Sequence, residues 1–465
     1  MASRSPRRIA FVSCNETPWG GSEELWSRAA LALVGEGITV RVAKPRIDQS
    51  APAIKALREA GVKLVDLARI WPLPDRIRNL AAWFVRPALI GWQLLRLTLF
   101  LWRFRPGLIV LSQGGSWDGF YMHFVLKRFS IPYALICQKA SDHYWPPDHL
   151  RPTVCDFIEG ASHVFFVSEH NRRLLEQQVG AALASASVVR NPYLVDREAP
   201  LPWPGETGTT RLACVGRLFP MEKGQDILLR VLAAPKWRER DVEVSFFGAG
   251  PCRDGLQGMA RHLGCDKAHF RGHVADVREI WASHHALVLP SRAEGLPLVL
   301  VEAMMAGRVA IVSTAGGSAE VVEDGRTAFL MQGFDEAGLD AAMERAWTVR
   351  DRWRGIGEAA AAAIRKGDRE ALAQVAPADQ LSGKWHPGTP MKDIPFFHAP
   401  DSLPFIADYL AHPGDGDYWR EWDLPSRLGS VDIPCLHISG WYDSFIAKTI
   451  ESYETLSSGA KAEHR

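Results

Sequence analysis

The chain has 465 residues, of which 47% are hydrophobic and 23% are charged, and its formal net charge at pH 7 is +1. This length predicts two or three domains of ordinary globular composition, and the near-neutral charge argues against a nucleic-acid-binding protein, which usually carries a large basic excess. The seven cysteines are scattered and no two of them form a C-x-x-C pair, which predicts reduced thiols in a cytoplasmic protein rather than a disulfide scaffold or a zinc site.

The first part of the chain alternates apolar runs with helix-like segments such as 23–36 and 169–179. This alternation is typical of βαβ units and predicts a parallel sheet. The predicted strands are 8–14, 38–43, 107–112, 133–138 and 163–168.

The loop after the first of these strands reads SCNETPWGGSEEL. Gly20 and Gly21 precede a helix that we expect to begin around Ser22, with Ser22 as its N-cap. Adjacent glycines let backbone amides approach a phosphate at a helix N-terminus. The same pair is also typical of an ordinary turn, so it is a weak signal by itself.

Residues 76–105 carry six arginines interleaved with large aromatic side chains, and no acidic residue. A basic, amphipathic segment of this kind suits a helix that lies on a lipid surface. The alternative is a pair of buried helices with arginine at the rim. No run of 18 uncharged apolar residues occurs, so no membrane-spanning helix is predicted.

Residues 199–210 are rich in proline, glycine and polar side chains and predict a linker. After it the alternation resumes. The predicted strands of this second part are 211–216, 243–248, 285–291 and 309–314. We therefore expect an α/β protein with one doubly wound domain over 1–198 and another over 211–366, facing each other across a cleft, because ligands of such sheets bind beyond the carboxyl ends of the strands. The alternation is lost over 367–465.

The strand ends of the second domain carry charged side chains and glycines. Arg217 and Lys223 follow its first strand, and Glu294 and Glu302 lie in the segment PSRAEGLPLVLVEAMMAG, where Pro297 is well placed to begin a helix. Each residue alone could be a solvated charge or a turn residue, but together they predict a ligand site. The glycines at these strand ends are Gly248, Gly250, Gly295, Gly316 and Gly317.

With these motifs in this order, residues 8–365 resemble the group 1 retaining transferases of glycosyltransferase family 4. The motifs that carry the resemblance are the Gly20–Gly21 loop, GRLFPMEKG, FGAGP, the E-x7-E block EGLPLVLVE and GGSAEVVEDGRTAFL. The resemblance implies the GT-B fold, with two Rossmann-like domains, and a nucleotide diphosphate sugar as donor. It implies no bound metal or other cofactor, and an acceptor that is a glycan or a lipid-linked sugar.

The resemblance also implies roles for individual residues. Arg217 and Lys223 would hold the diphosphate and offset the charge of the leaving group, while Glu294 would bind hydroxyls of the donor sugar. Glu302 would accept hydrogen bonds from the ribose hydroxyls. Retention would follow a front-face path in which the donor phosphate takes the acceptor proton, because no nucleophile candidate is evident. The other implied donor-binding residues are Gly20, Gly21, Gly248, Gly250, Gly295, Leu296, Leu298, Gly316 and Gly317.

Two positions depart from the family pattern. Gln138 occupies the place where many relatives have a histidine, and His143 is close by but offset. Arg308 occupies a place where relatives often have proline. We expect the Arg308 change to affect a turn and not the chemistry.

Residues 367–465 resemble a different family, the acyl hydrolases of the cocaine esterase and X-Pro dipeptidyl-peptidase group, which have the α/β-hydrolase fold. The motifs are DYWREWD and IPCLHISGWYDSF, in which Asp443 would be the acid of a Ser-His-Asp triad. The sequence has no G-x-S-x-G nucleophile elbow, and His464 comes too early to be the triad histidine. We therefore interpret this segment as a partial hydrolase-like fragment.

Three functions remain open at this point. The first is a glycosyltransferase with an appended hydrolase-like segment, and the second is a nucleotide-sugar-binding protein without turnover, because the usual return helix of the GT-B fold is expected to be replaced. The third is an acyl or peptide hydrolase, inferred from Asp443. We expect a cytoplasmic protein with peripheral contact to the inner face of the membrane through 76–105, and no nucleic-acid partner.

Overall fold

The computed structural model describes residues 8–17, 19–69, 86–192, 200–205, 208–274 and 276–375. Within these residues, thirteen strands form two wholly parallel sheets. Residues 70–85 lie outside the described residues, and they include the first part of the basic aromatic segment 76–105. Residues 376–465, with Asp443, also lie outside them.

The first sheet has the strand order β3-β2-β1-β4-β5-β6-β7. The direction of winding changes between β1 and β4, so the loops after these two strands border the crevice in which such sheets bind ligands. The strands are β1 (Arg8–Ser13), β2 (Thr39–Lys44), β3 (Lys63–Asp66), β4 (Leu108–Gln113), β5 (Tyr133–Cys137), β6 (His163–Phe166) and β7 (Ala186–Val188). The helices are α1 (Glu24–Gly35), α2 (Pro52–Glu59), α3 (Arg86–Phe104), α4 (His123–Phe129), α5 (Arg151–Glu159) and α6 (Glu169–Val179).

The second sheet has the order β10-β9-β8-β11-β12-β13, with its change of winding between β8 and β11. The strands are β8 (Thr210–Val215), β9 (Val242–Phe247), β10 (Ala268–Gly272), β11 (Ala286–Leu289), β12 (Val309–Ser313) and β13 (Phe329–Met331). The helices are α7 (Pro220–Lys223), α8 (Gln225–Leu232), α9 (Pro235–Glu239), α10 (Arg253–His262), α11 (Val277–Ser283), α12 (Leu298–Met305), α13 (Ser318–Val321), α14 (Glu336–Thr348) and α15 (Trp353–Val375).

The central strands of the second sheet show why these residues form strands. Every residue of β11 and β12 is buried, because helices cover both faces of a parallel sheet. Continuous runs of valine, isoleucine, leucine and alanine meet that requirement, and β-branched side chains pack well on a pleated surface. Two such sheets place the carboxyl ends of their central strands, and the loops that follow them, where a ligand site is expected.

The nine strands predicted from the sequence are confirmed within one or two residues at their ends. The N-cap prediction for Ser22 is wrong. A 3₁₀ turn, Gly21–Glu23, precedes α1, and no side-chain hydrogen bond caps that turn. The hydroxyl of Ser22 instead accepts a hydrogen bond from the side-chain amide of Asn15 at 3.0 Å. The helix expected at Pro297 begins one residue later, with Pro297 as its N-cap.

Helix α3 covers the described part of the basic aromatic segment. One face packs Leu97, Phe100, Leu101 and Phe104 into the core of the first domain. The opposite face exposes a stripe of large apolar side chains, which are Trp92, Leu95, Leu99 and Trp102, and Ile90 is exposed as well. Among the described residues, the helix therefore has a core-packing face and an exposed apolar face.

Candidate active site

The loop after β8 places Arg217 beside the short helix α7. The carbonyl oxygen of Arg217 accepts a hydrogen bond from the side-chain amide of Gln225 at 2.8 Å. Its guanidinium lies 5.2 Å from the centre of the Phe219 ring and donates to the carboxylate of Glu222 at 2.7 Å. These contacts hold a half-exposed guanidinium in a defined position at the end of the strand.

Lys223 and Glu294, which the sequence analysis assigned to one ligand site, are in direct contact. The ammonium of Lys223 donates to Oε1 of Glu294 at 2.6 Å, and the hydroxyl of Ser291 donates to the same oxygen at 2.7 Å. Glu294 is only 6% exposed. Its carboxylate is therefore held by a cation and a hydroxyl at the end of β11.

Glu222 was not predicted from the sequence and lies at the centre of the charged groups. Its carboxylate accepts from Arg217 and, at 2.6 Å, from the ammonium of Lys139, which follows β5 in the first sheet. Burial raises the pKa of Glu222, but Lys139 and Arg217 outweigh this effect and hold the pKa below its usual range. The group is therefore an ionised carboxylate between two cations.

The predicted glycines are sites of close backbone approach. A Cβ at Gly248 would lie 2.0 Å from the carbonyl oxygen of Gly216, and one at Gly250 would lie 2.4 Å from that of Leu218. These two glycines thus let the loop after β9 pack on the loop that carries Arg217. Their direct contact with a donor stays a prediction.

Three further glycines bring the loop of Glu294 against its neighbours. A Cβ at Gly295 would lie 2.0 Å from the carbonyl oxygen of Gln138 in the first domain, and one at Gly316 would lie 2.2 Å from that of Gly295. A Cβ at Gly317 would lie 2.6 Å from the Cβ atom of Ser168. Any larger residue would force these loops apart.

Helix α12 carries the second acid of the E-x7-E block. Glu302 is 4% exposed, so it is not a helix-surface acid. Leu296 is buried beneath the start of this helix, and Leu298 is its first residue. A Cβ at Gly21 would lie 3.0 Å from the side chain of Leu298, so the Gly20–Gly21 loop meets the start of α12 from the other domain.

A buried ion pair supports the loop that leads to Gly20 and Gly21. The ammonium of Lys44 donates to the carbonyl oxygens of Asn15 and Thr17 at 2.7 and 2.8 Å and lies 3.6 Å from the Glu23 carboxylate. Burial lowers the pKa of Lys44 and raises the pKa of Glu23, although each charge opposes the shift of the other. The Lys44–Glu23 pair therefore holds the loop of Asn15 and Thr17 in place.

A cavity of about 500 Å³ lies where the winding of the first sheet changes direction. It is lined by residues after β1, β2 and β4, and by Arg217 from the second domain. The polar lining includes Glu16, Arg46, Asp118 and Tyr121. The cavity therefore opens beside the guanidinium that was expected to bind the donor diphosphate.

Two sequence departures have defined places in the structure. Gln138 is buried, its side-chain oxygen accepts from Asn191 at 2.8 Å, and its side-chain nitrogen has no partner among the described residues. Arg308 is 1% exposed and donates to the carbonyl oxygens of Leu201, Pro202 and Trp281. Besides donating to the carbonyl oxygen of Ala306 at the expected turn, the Arg308 guanidinium ties the predicted linker to the second domain, which the sequence did not predict.

The comparisons with known proteins divide the chain in two. Residues 209–348 match the family model for glycosyl transferases group 1. The second domain is therefore similar to group 1 glycosyltransferases. Residues 351–463 match the model for X-Pro dipeptidyl-peptidase of the S15 family, in agreement with the resemblance seen in the tail.

Two curated relatives each match less than half of this chain. A GDP-mannose-dependent alpha-(1-6)-phosphatidylinositol monomannoside mannosyltransferase of Mycolicibacterium smegmatis is 31% identical over 208 residues, which cover 39% of this chain and 52% of the relative. A D-inositol 3-phosphate glycosyltransferase of Streptomyces scabiei is 35% identical over 159 residues, which cover 32% of this chain and 35% of the relative. The chain thus spans about half or less of the length of these relatives.

Solved structures share the GT-B fold. The structure of Anabaena Alr3699/HepE in complex with UDP-glucose aligns with a TM-score of 0.59 and 17% identity, over 79% of this chain and all of the other. Sucrose-phosphate synthase from Thermosynechococcus elongatus aligns with a TM-score of 0.61 and 17% identity, over 81% of this chain and all of the other. Both domains therefore share this fold.

The described part of the chain has neither a cluster of metal-binding side chains nor a helix that could span a membrane. No group of three or more histidine, cysteine, aspartate or glutamate side chains there is arranged to hold a metal ion. No described helix combines the length and apolar character that a membrane span requires.

Proposed function

We propose that this protein transfers a hexose from a nucleotide diphosphate sugar to a hydroxyl group of a glycan or lipid-linked acceptor, with retention of the anomeric configuration. The observation that carries the proposal is the contact of Lys223 with Glu294 at 2.6 Å beside Arg217, at the strand ends of a group 1 glycosyltransferase domain. A relative named for GDP-mannose and a similar structure that holds UDP-glucose support a hexose donor.

The two cations supply the electrostatic part of catalysis in this proposal. As the bond between the sugar and the diphosphate breaks, negative charge grows on the leaving group. Arg217 and Lys223 stabilise that charge through charge-assisted hydrogen bonds in a water-poor site. Helix α12 adds the positive end of its dipole near the same place.

The two carboxylates bind hydroxyl groups at opposite ends of the donor. Glu294, held by Lys223 and Ser291, accepts from hydroxyls of the transferred sugar. Glu302 accepts from the ribose hydroxyls. Because Glu294 is already engaged by a cation, it suits hydroxyl binding better than attack on the sugar. We therefore propose a front-face path, in which the acceptor proton passes to the leaving phosphate, and no bound metal.

The acceptor occupies the cavity beside Arg217. Its volume of about 500 Å³ lies within the range of roughly 300–1,000 Å³ that is typical of small-molecule sites. The carboxylates of Glu16 and Asp118 and the phenol of Tyr121 suit a ligand rich in hydroxyl groups. An acceptor there would present its hydroxyl to the sugar held by the second domain.

A lipid-linked acceptor agrees with the exposed face of α3. Trp92, Leu95, Leu99 and Trp102 form an apolar stripe at helical spacing, in a segment that carries arginines and no acid. We propose that this stripe enters the interfacial region of an anionic bilayer, with the arginines at the headgroups. Membrane contact would bring the first domain close to its acceptor.

Two other functions remain as alternatives. Binding of a nucleotide sugar without turnover would use the same donor site. Activity as an acyl or peptide hydrolase, inferred from the motif that contains Asp443, has less support because the sequence has no G-x-S-x-G nucleophile elbow. Ester hydrolysis that survives Glu294→Ala would favour the hydrolase.

A donor screen tests the proposal. We expect UDP-glucose, GDP-mannose or ADP-glucose to raise the thermal unfolding midpoint of the full chain, because a ligand that binds the folded state stabilises it by mass action. Glu302→Gln should reduce that rise. Absence of a shift with every donor would contradict the proposal.

A further inference from the structure

A single buried carboxylate joins cations from the two domains. Lys139 follows β5 in the first domain and Arg217 follows β8 in the second, yet both contact Glu222. Oε1 of Glu222 lies 2.6 Å from the ammonium of Lys139, and Oε2 lies 2.7 Å from the guanidinium of Arg217. Glu222 is 6% exposed. Each of its oxygens therefore faces a different domain's cation inside the cleft.

The backbone around Glu222 holds this carboxylate in place. Its carbonyl oxygen accepts from the amides of Arg292 and Ala293 at 2.7 and 3.1 Å, in the loop that leads to Glu294. The residue before Lys139 packs its carbonyl oxygen against Gly295. Glu222 thus lies where the loops of the donor site meet.

The ion pairs of this network contain one more cation than carboxylate. Arg217, Lys223 and Lys139 supply three positive charges, and Glu222 and Glu294 supply two negative ones. A donor diphosphate is also an anion, and the role proposed for Arg217 requires its guanidinium. Two anions that compete for the same N–H groups at close range repel each other strongly in a partly buried site. The donor and Glu222 therefore compete.

We propose that Glu222 is an internal anion that occupies the diphosphate position until the donor binds. The diphosphate then takes its place between Arg217 and Lys139, and Lys139 becomes a diphosphate-binding residue supplied by the first domain. Because the diphosphate then contacts both domains, donor binding also holds the cleft closed. This inference rests on the proposed function.

Two isosteric variants of the full chain test this exchange of the Glu222 carboxylate for the donor diphosphate. The affinity of each variant for UDP, GDP and ADP is measured by calorimetry. Glu222→Gln removes the competing charge and should tighten nucleotide binding by about threefold or more, the effect of one close charge in a partly screened site. Lys139→Gln removes a diphosphate ligand and should weaken binding by a similar factor. The expected signs are opposite, and both differences should shrink at 0.5 M NaCl.

A carboxylate elsewhere in the cleft provides the matched control. Glu320 also crosses between the domains, because it accepts from the amides of Glu169 and His170 at 3.2 and 2.7 Å. Among the described residues, the Glu320 carboxylate accepts from these backbone amides and forms no ion pair with any of the three cations. Glu320→Gln should therefore not tighten binding. Thermal unfolding without ligand checks that each variant is folded.

The outcomes separate the exchange from the proposed function. If the wild type binds none of the three nucleotides, the proposed function fails and the exchange fails with it. If the wild type binds but Glu222→Gln binds equally or more weakly, Glu222 is a structural brace and the exchange alone is overturned. Tightening by Glu320→Gln to the same degree would also overturn it, because the effect would then report loosened domains.

Discussion

The three cations of the proposed donor site each contact a carboxylate of the chain itself. Lys223 faces Glu294, and Arg217 and Lys139 face Glu222. These pairs hold the side chains in one geometry before any ligand arrives, which lowers the entropic cost of binding. The division of labour among the carboxylates leads to the first prediction.

We predict that Glu294→Gln and Glu302→Gln fail in different steps. Glu294→Gln removes the charged partner of Lys223 and the proposed sugar contact, so sugar transfer should fall by about 10- to 100-fold with little change in UDP or GDP affinity. Glu302→Gln should weaken binding of the nucleotide by about tenfold, the value of a charged hydrogen bond. Calorimetry and steady-state kinetics measure the two effects, and each variant is the control for the other. Equal loss of nucleotide affinity in both would contradict the assigned roles.

Arg308 is predicted to contribute to stability and not to chemistry. Among the described residues, its buried guanidinium donates hydrogen bonds to carbonyl oxygens, including those of Leu201 and Pro202 in the predicted linker. It also lies 5.4 Å from the centre of the Trp203 ring. Arg308→Met leaves several carbonyl groups without donors and should reduce the free energy of unfolding by about 2–4 kcal/mol. Arg308→Lys keeps the charge but not the fork of donors and should recover only part of the loss. Urea unfolding measures both, and an unchanged midpoint for Arg308→Met would sink this account.

His284 predicts how stability depends on pH. Burial lowers its pKa to about 4 in the folded chain, while an unfolded histidine titrates near 6.5. Above pH 6.5 the side chain is neutral in both states. As the pH falls from 6.5 towards 4, the unfolded state binds a proton that the folded state does not, so the free energy of unfolding should fall by up to about 3 kcal/mol. His284→Gln should flatten this slope in unfolding measurements at pH 4.5, 5.5, 6.5 and 7.5. An identical slope in the variant would rule His284 out as the cause.

At the scale of elements, α3 combines a face that packs in the core with an exposed apolar face. Its inner side chains pack in the core, while Trp92, Leu95, Leu99 and Trp102 are exposed. Leu99→Ser with Trp102→Ser should reduce co-sedimentation with phosphatidylglycerol-containing vesicles several-fold, because burial of apolar area drives interfacial binding.

The control for this test changes an exposed aromatic residue on a neighbouring helix. Phe124 in α4 is 67% exposed, and Phe124→Ser should have a smaller effect if the stripe on α3 is the binding surface. Neutral phosphatidylcholine vesicles should bind the wild type less than anionic ones. Unchanged binding of the double variant to anionic vesicles would contradict the proposed membrane contact.

The elements that sequence reasoning missed share one position in the fold. Strands β3, β7, β10 and β13 are the four outermost strands of the two sheets. An edge strand is partly exposed, so it needs no continuous apolar run, and β10 has no fully buried residue. The nine predicted strands include all the inner ones, whose double-sided burial imposes the apolar pattern.

The proposed donor site was predictable to the extent that its residues lie in short motifs. Glu294 and Lys223 were found because strand ends and helix starts are local features. Lys139 and Glu222 were missed because they lie 83 residues apart and meet only through the closure of two domains. A charged residue directly after a strand, as Lys139 is after β5, was the one signal that could have indicated its role.

At the scale of the whole molecule, the chain joins a domain that matches group 1 glycosyltransferases to a segment that matches a peptidase family. The second match begins at residue 351, close to the start of α15. Truncation of the full chain after residue 375 would remove most of the hydrolase-like segment. The domain limits predicted from the sequence, 1–198, 211–366 and 367–465, stay predictions that limited proteolysis of the full chain would test.

Turnover of a nucleotide sugar is the measurement that tests the central claim most directly. The full chain is incubated with UDP-glucose, GDP-mannose or ADP-glucose and a membrane lipid and glycan extract, and both nucleoside diphosphate release and sugar incorporation are followed. We predict that at least one donor supports both, and that Glu294→Gln reduces both by about 10- to 100-fold. Tight donor binding with neither release nor incorporation, in the wild type and with every donor, would contradict transfer and leave a nucleotide-sugar-binding protein.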